Sequence, residues 1–376
     1  MIVDKLEPSK VLQPQSVYEL AEQLSTETGS LVPIGAATQV SFGNPLRRFD
    51  CAIDVTKLSR ITDYNPADLT IHVEAGVTLE QLQQALSENN QFLPLNPWNG
   101  PKATIGGIVA TNAQGPFRAH STIRDWIIGM KIVHADGQIS KTGGRVVKNV
   151  TGYDLAKLYT GSLGTLAIIA EISLKLMAKF ERTATAIGRF GDRNKASDAI
   201  GSVRKGPLQP ISCEWFGPEN EVWLGFGEHS RAVDWQLRSL PAGDWIVLEG
   251  AEETAAWQKR ASQYGELGPI VLRVVGLASV VPEIIEEYRP SAWIAHALNG
   301  IVLMSISSPE QISLIRKRYR AVIEKAPLEI RRDFPTFGLT DTEYLFMTKL
   351  KEAFDPEGRL NPGRHVDGER NACKHD

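Results

Sequence analysis

The chain has 376 residues, 42% hydrophobic and 23% charged, with a formal net charge of -3. This is the composition of a globular protein too long for one ordinary core, with no basic excess to attract nucleic acid. No basic-then-apolar leader and no run of about 18 apolar residues occurs, so a cytoplasmic protein without an integral membrane segment is expected. Three cysteines, Cys51, Cys213 and Cys373, form no C-x-x-C pair, which argues against a disulfide framework or an iron–sulfur cluster on this chain.

The first expected element is a helix from Ser16, where Ser16 and Glu19 have capping-box spacing and Gly29 offers a stop. A short strand, Leu31 to Ile34, runs into the small-residue loop Pro33-Ile34-Gly35-Ala36-Ala37-Thr38-Gln39. Leu69, Ile71 and Val73 alternate with Thr70, His72 and Glu74 as in a half-buried strand, and Thr78 with Gln81 caps the helix that follows. A second small-residue loop is Thr104-Ile105-Gly106-Gly107, whose glycines also suit a tight helix start at Ile105. Trp126 to His134 reads as a strand closed by the turn pair Asp136-Gly137, and a short helix is expected near Asp154 to Tyr159. Leu166 to Leu174, rich in branched residues, reads as the last core strand of a first domain.

Past Leu176 the glycine-rich loops thin out and tryptophans accumulate, as in a second core. Strands are expected over Ile211 to Phe216, Val222 to Phe226, Trp245 to Leu248, Ile270 to Val275 and Ile301 to Ile306, with helices around Trp235, Trp257 and Pro309 to Glu324. The expected division is 1–177, 178–350 and a returning segment 351–376.

Both small-residue loops let a ligand approach the backbone and use its N–H groups, which suits a diphosphate. Neither is G-x-G-x-x-G, and G-x-x-x-x-G-K-[ST] is absent, so the two commonest nucleotide fingerprints do not apply. The ordered set that includes Thr104-Ile105-Gly106-Gly107, Ala110 to Gly115, Arg124-Asp125, His134 to Gly137, Gly143 to Leu155 and Gly161 to Leu166 resembles the vanillyl-alcohol-oxidase (para-cresol methylhydroxylase, PCMH) type of FAD-binding domain. Within that superfamily the likeness is to the smaller FAD-binding subunits of bacterial glycolate oxidases, from about residue 8 to Arg364.

The resemblance implies an α+β fold: a PCMH-type FAD-binding domain of two α/β subdomains, then a smaller α+β cap domain with an antiparallel sheet, with FAD held between the domains. It implies that Pro33, Ile34, Gly35, Ala36, Ala37, Thr38 and Gln39 carry the FAD pyrophosphate, although the family more often has three glycines there. Thr104, Ile105, Gly106, Gly107, Thr111, Asn112 and Gly115 would wall the flavin ring and ribityl chain. Gly161, Gly164, Thr165, Ile168 and Ile169 would run beside the adenosine half, and Asn361, in a Pro- and Gly-rich double turn, would approach the ring. No histidine stands in the first loop to tether the ring, so non-covalent FAD is expected.

Catalytic relatives carry a His-Ala-Gly-Asp-Gly-Asn-x-His type motif whose histidines help bind a divalent metal. This chain has Ala295-His296-Ala297-Leu298-Asn299-Gly300-Ile301-Val302, one imidazole without an adjacent carboxylate, so no metal site is expected. Lys148, Tyr153 and His296 are candidate bases, with Lys148 and Asp154 equally readable as a surface lysine and a helix cap. The resemblance implies glycolate oxidation to glyoxylate within a complex containing a larger FAD-bearing catalytic subunit and an iron–sulfur subunit. That complex would be cytoplasmic or peripherally attached to a membrane. A stand-alone oxidoreductase for another 2-hydroxy acid such as D-lactate, and a structural subunit without catalysis, are the alternatives.

Overall fold

The computed structural model describes residues 1–98, 100–113, 115–144 and 155–369. The chain forms two compact units, one from Met1–Gln114, Thr122–Ala178 and Leu328–Asp376, the other from Gly115–Ser121 and Lys179–Pro327.

The first unit contains a three-stranded parallel sheet, Lys10–Leu12, Cys51–Asp54 and Leu31–Ile34, with Cys51–Asp54 in the middle. Helix Val17–Thr26 buries Val17, Leu20 and Leu24, one stripe at three- and four-residue spacing, and Ser16 caps it by accepting from the Glu19 N–H. The helix stops at Thr26 with Glu27 as its cap, ahead of the expected Gly29. A five-stranded antiparallel sheet follows, in the order Ile61–Asn65, Thr70–Glu74, Ile168–Lys175, Ile127–Val133, Ile139–Gly143. Helix Leu79–Ser87, with its capping box at Thr78 and Gln81, packs Leu79, Leu82 and Leu86 into the core that contains this sheet's Ile71, Val73 and Ile172. Each such leucine contributes about 2 kcal/mol of transfer free energy.

Two strand expectations need correction. Thr70–Glu74 is buried along its whole length and not on alternate residues, and two of its polar side chains have partners. His72 Nδ1 lies 2.6 Å from Ser173 Oγ, and Glu74 pairs with Arg60 at 2.8 Å. Trp126 ends the short helix Ile123–Trp126, so the strand after it begins at Ile127.

The returning segment is tied into the first unit by buried polar contacts. Lys351, on helix Asp341–Phe354, pairs with Asp355 at 2.5 Å and donates to the carbonyls of Thr165 and Leu360, each at 2.8 Å. Asp355 also accepts from the Arg359 and Leu360 N–H groups, while the Arg359 guanidinium donates to the carbonyls of Glu27, Gly29 and Ala135. Leu31 N donates to Arg359 O at 2.8 Å and Asn361 N to Leu31 O at 2.9 Å. The 359–361 backbone thereby lies parallel to Leu31 at the sheet's edge.

The second unit is built on an eight-stranded antiparallel sheet, ordered Trp245–Leu248, Arg182–Arg189, Glu221–Glu228, Ser212–Gly217, Trp293–His296, Ile301–Ser305, Val271–Val275, Arg320–Lys325. Its helices include Arg193–Lys205, Ser230–Arg238, Gly250–Tyr264 and Val281–Tyr288. The expected helix over 309–324 is cut short: Glu310–Arg316 is helical and Arg320–Lys325 is an edge strand. Ala321, Val322 and Ile323 are all buried there, and a run of three buried apolar residues reads alike in either state until tertiary packing decides. Trp215, Trp223 and Trp293 are core residues, whereas Trp235 is 49% exposed.

Candidate functional site

The parallel sheet delivers the first small-residue loop. Strand Leu31–Ile34 pairs in parallel with Cys51–Asp54, Ile34 opposite Asp54, and the chain turns at Gly35 as it leaves the carboxyl end of the sheet. Ligands of open parallel sheets gather at that end. The backbone N–H groups of Ala36 and Ala37 have no acceptor among the described residues, and both side chains are exposed. Ala37 sits at φ 57°, the left-handed region that an alanine enters only at a cost of about 1–2 kcal/mol. Strain of this kind is concentrated at ligand clamps. Leu163 (φ 54°) and Asn361 (φ 45°) are held in the same region.

The second small-residue segment is a helix start and not a loop. Thr104 caps helix Ile105–Thr111, its side chain accepting from Gly107 N at 3.2 Å. The Ile105 and Gly106 N–H groups donate to the carbonyls of Val77 and Ala75, each at 2.8 Å. The donors expected from this segment are therefore consumed, and it offers a flat wall of small residues instead. Glycine at 35 permits the contact between the two segments. A Cβ there would stand 2.2 Å from Thr104 Oγ1, so any side chain would push the helix cap away.

Around these segments opens a cleft whose lining lies entirely within the first unit. Pro33, Ile34, Gly35, Ala36, Ala37, Thr38 and Gln39 line one side. Thr104, Gly106, Gly107 and Thr111 line another, and Gly164, Ile168, Ile169 and Asn361 are also on its surface. The remaining expected contacts lie off the lining. Ile105 is buried in the core, Asn112 caps its helix at φ 50°, and Thr165 Oγ1 donates to Ser162 O. Gly161 N donates to Val109 O, and Gly115 groups with the second unit. Sequence reasoning did not assign Phe42, Ala75, Ala110, Leu163 and Arg364, which also line the cleft; Ala110, Leu163 and Arg364 stood inside stretches that carry the family likeness.

Two buried acceptors show what the cleft lacks. Asn361 Nδ2 donates to Leu163 O at 2.6 Å, but Asn361 Oδ1 and Gln39 Oε1, both on lining residues, are buried without a hydrogen-bond partner among the described residues. An unpaired buried acceptor costs about 1–3 kcal/mol unless a donor reaches it. Ring and ribityl donors of a flavin meet that need, and the open N–H groups of Ala36 and Ala37 suit its diphosphate. The lining carries no histidine or cysteine among the described residues. The residues present thus fit FAD.

In the second unit His296 and Glu214 lie directly opposite each other on neighbouring strands, buried at 4% and 1% exposure, with Nδ1 2.9 Å from Oε1. The carboxylate missing from the histidine's own motif thus comes from a residue 82 positions earlier. Burial raises the Glu214 carboxyl, and the His296 charge and hydrogen bond oppose that shift. By register, Arg273 faces the same side of the sheet as Glu214 and His296. Arg273 pairs with Glu324 at 3.5 Å, and Tyr264 donates to that carboxylate at 2.9 Å. Arg118 is lowered below the usual guanidinium value by burial first and by Arg273 second, which places two like charges near one carboxylate. Lys148 and Tyr153, with Asn149 and Asp154, lie outside the described residues.

Comparison with known proteins gives the family. The FAD binding domain family matches residues 8–143. The glycolate oxidase subunit GlcE of Escherichia coli is 32% identical over 363 residues, covering 93% of this chain and 96% of that protein. The glycolate oxidase subunit GlcD of Bacillus subtilis is 23% identical over 417 residues, covering 95% and 88%. In structure the chain is similar to alkyldihydroxyacetonephosphate synthase, with a TM-score of 0.67 at 14% identity over 95% of this chain and 78% of that one, which shows a shared fold. Motif order, fold and full-length similarity converge: the chain belongs to the PCMH-type FAD-binding oxidoreductases, in the family of the glycolate oxidase subunit GlcE.

Proposed function

We propose that this chain is the smaller FAD-binding subunit of a complex that oxidises glycolate or a closely related 2-hydroxy acid, with electrons leaving through an iron–sulfur partner. The observation that carries the cofactor part is the cleft of the first unit, where open N–H groups, a glycine-dependent close contact and orphaned acceptors meet on one lining. Bound FAD supplies a two-electron acceptor for the hydride that a 2-hydroxy acid loses.

The chain's own residues divide the remaining work. Gly35, Ala36, Ala37 and Thr38 bind the diphosphate, the 104–107 helix start presents a dry wall, and Asn361 is fixed by Leu163 O so that its oxygen accepts from the cofactor. Arg118 and Arg273 suit a small carboxylate. The buried Glu214–His296 pair is the proposed proton holder. Substrate oxidation falls mainly to a larger FAD-bearing partner, because the metal-binding pattern of catalytic relatives is reduced here to His296.

The full chain reconstituted with FAD is expected to bleach little under anaerobic glycolate, and to bleach within seconds once the co-purified partner subunits are added. Acid precipitation is expected to release the flavin intact. Rapid bleaching of the isolated chain by D-lactate would instead support a stand-alone 2-hydroxy-acid oxidoreductase.

A further inference from the structure

The cleft borders a buried charge cluster built from three distant parts of the sequence. Arg364 is on the lining, yet its side chain is only 5% exposed; Nη1 lies 3.0 Å from Asp4 Oδ2 and donates to Asn44 O at 3.0 Å. Arg331, equally buried, takes the other oxygen of the same carboxylate, Asp4 Oδ1, at 2.6 Å and donates to Gly43 O at 3.2 Å. Two guanidinium cations thus share one carboxylate. A guanidinium buried as deeply as that of Arg364 is costly unless acceptors meet its donors. Burial brings the Arg364 guanidinium down to about 10; Asp4 opposes that shift and Arg331 adds to it.

Position and geometry say which anion. The carbonyls that the two arginines hold, Gly43 and Asn44, belong to the stretch that follows the diphosphate cradle at 35–39. Both recorded bonds of Arg364 leave from Nη1, and its Nε and Nη2 have no hydrogen-bond partner among the described residues. That leaves one edge of a planar fork, the shape that grips a phosphate with two parallel N–H bonds.

We propose that Arg364 is the counter-charge for the FAD diphosphate, with Asp4 and Arg331 as positioning residues that fix its orientation. This rests on the reading that FAD occupies the cleft. The bland alternative is a staple that joins the N-terminal segment to the 43–44 turn and touches no ligand.

The test is titration of the full chain, freed of flavin, with FAD and separately with riboflavin, which carries the ring but no phosphate. Wild-type protein is expected to bind FAD more tightly than riboflavin. Arg364→Met is expected to weaken FAD about ten- to hundredfold, the loss of a charge-assisted bond, while riboflavin changes less than about twofold. The salt dependence of FAD binding should also flatten. Arg364→Lys keeps the charge and the Asp4 pair; it is expected to lose about fivefold for FAD alone and carries the comparison if the methionine variant does not fold. Unchanged FAD affinity, or equal losses for both ligands, overturns the assignment. Wild-type protein that binds neither flavin refutes the FAD reading, and this assignment with it.

Discussion

Lys351→Met is expected to lower the unfolding free energy by about 3–5 kcal/mol, a large share of a domain's total stability. The side chain is buried, and its ammonium holds Asp355 and two backbone carbonyls at once. Removing it leaves a carboxylate at 2% residue exposure with only backbone N–H partners. Urea denaturation measures the loss, and Lys351→Met combined with Asp355→Asn should recover part of it by removing the stranded charge. The effect reaches the cleft because the same contacts position the turn that carries Asn361, so FAD affinity should fall in the single variant as well. Full stability in Lys351→Met would mean that the returning segment is held by apolar packing alone.

Gly35→Ala is expected to weaken FAD binding about tenfold or more while leaving most of the fold intact. The added methyl would meet Thr104 Oγ1 at 2.2 Å, and relief requires either loss of the helix cap or displacement of the cradle. Losing the cap costs about 1 kcal/mol, whereas moving the cradle removes several donors from the diphosphate together. The two are separable. In Gly35→Ala with Thr104→Ala the clash with Oγ1 is gone, and flavin fluorescence quenching should recover at least tenfold in affinity relative to Gly35→Ala. A Gly35→Ala protein that binds FAD as the wild type does would show that the 35–38 turn is not the cradle.

Local chemistry made much of this architecture legible in the sequence. Ser16 and Thr78 announce their helices because capping boxes are short-range signals, and strand Leu31–Ile34 with its small-residue exit is equally local. Ala37 taught more than a glycine would have. Its positive φ, unfavourable for alanine, shows the turn imposing its geometry on the residue. What stayed hidden depends on long-range pairing. Nothing near Thr104 announces that Ala75 and Val77 use its segment's N–H groups, so a donor loop and a capped helix start read alike. Glu214 meets His296 only through the register of two strands, and Arg364 meets Asp4 across 360 positions of sequence. The 320–325 strand reads in sequence as the end of a helix because its three buried apolar residues carry no period of their own.

The central claim is that FAD lies on the cradle at 35–39 and against the helix start at 104–107. Hydrogen exchange followed by mass spectrometry, on the full chain with and without saturating FAD, tests it most directly. Strong protection is expected at the otherwise open Ala36 and Ala37 amides, with a smaller change over 104–111, where the amides are already bonded. Protection confined to other segments, with 35–39 exchanging as fast as in the flavin-free protein, would contradict the account.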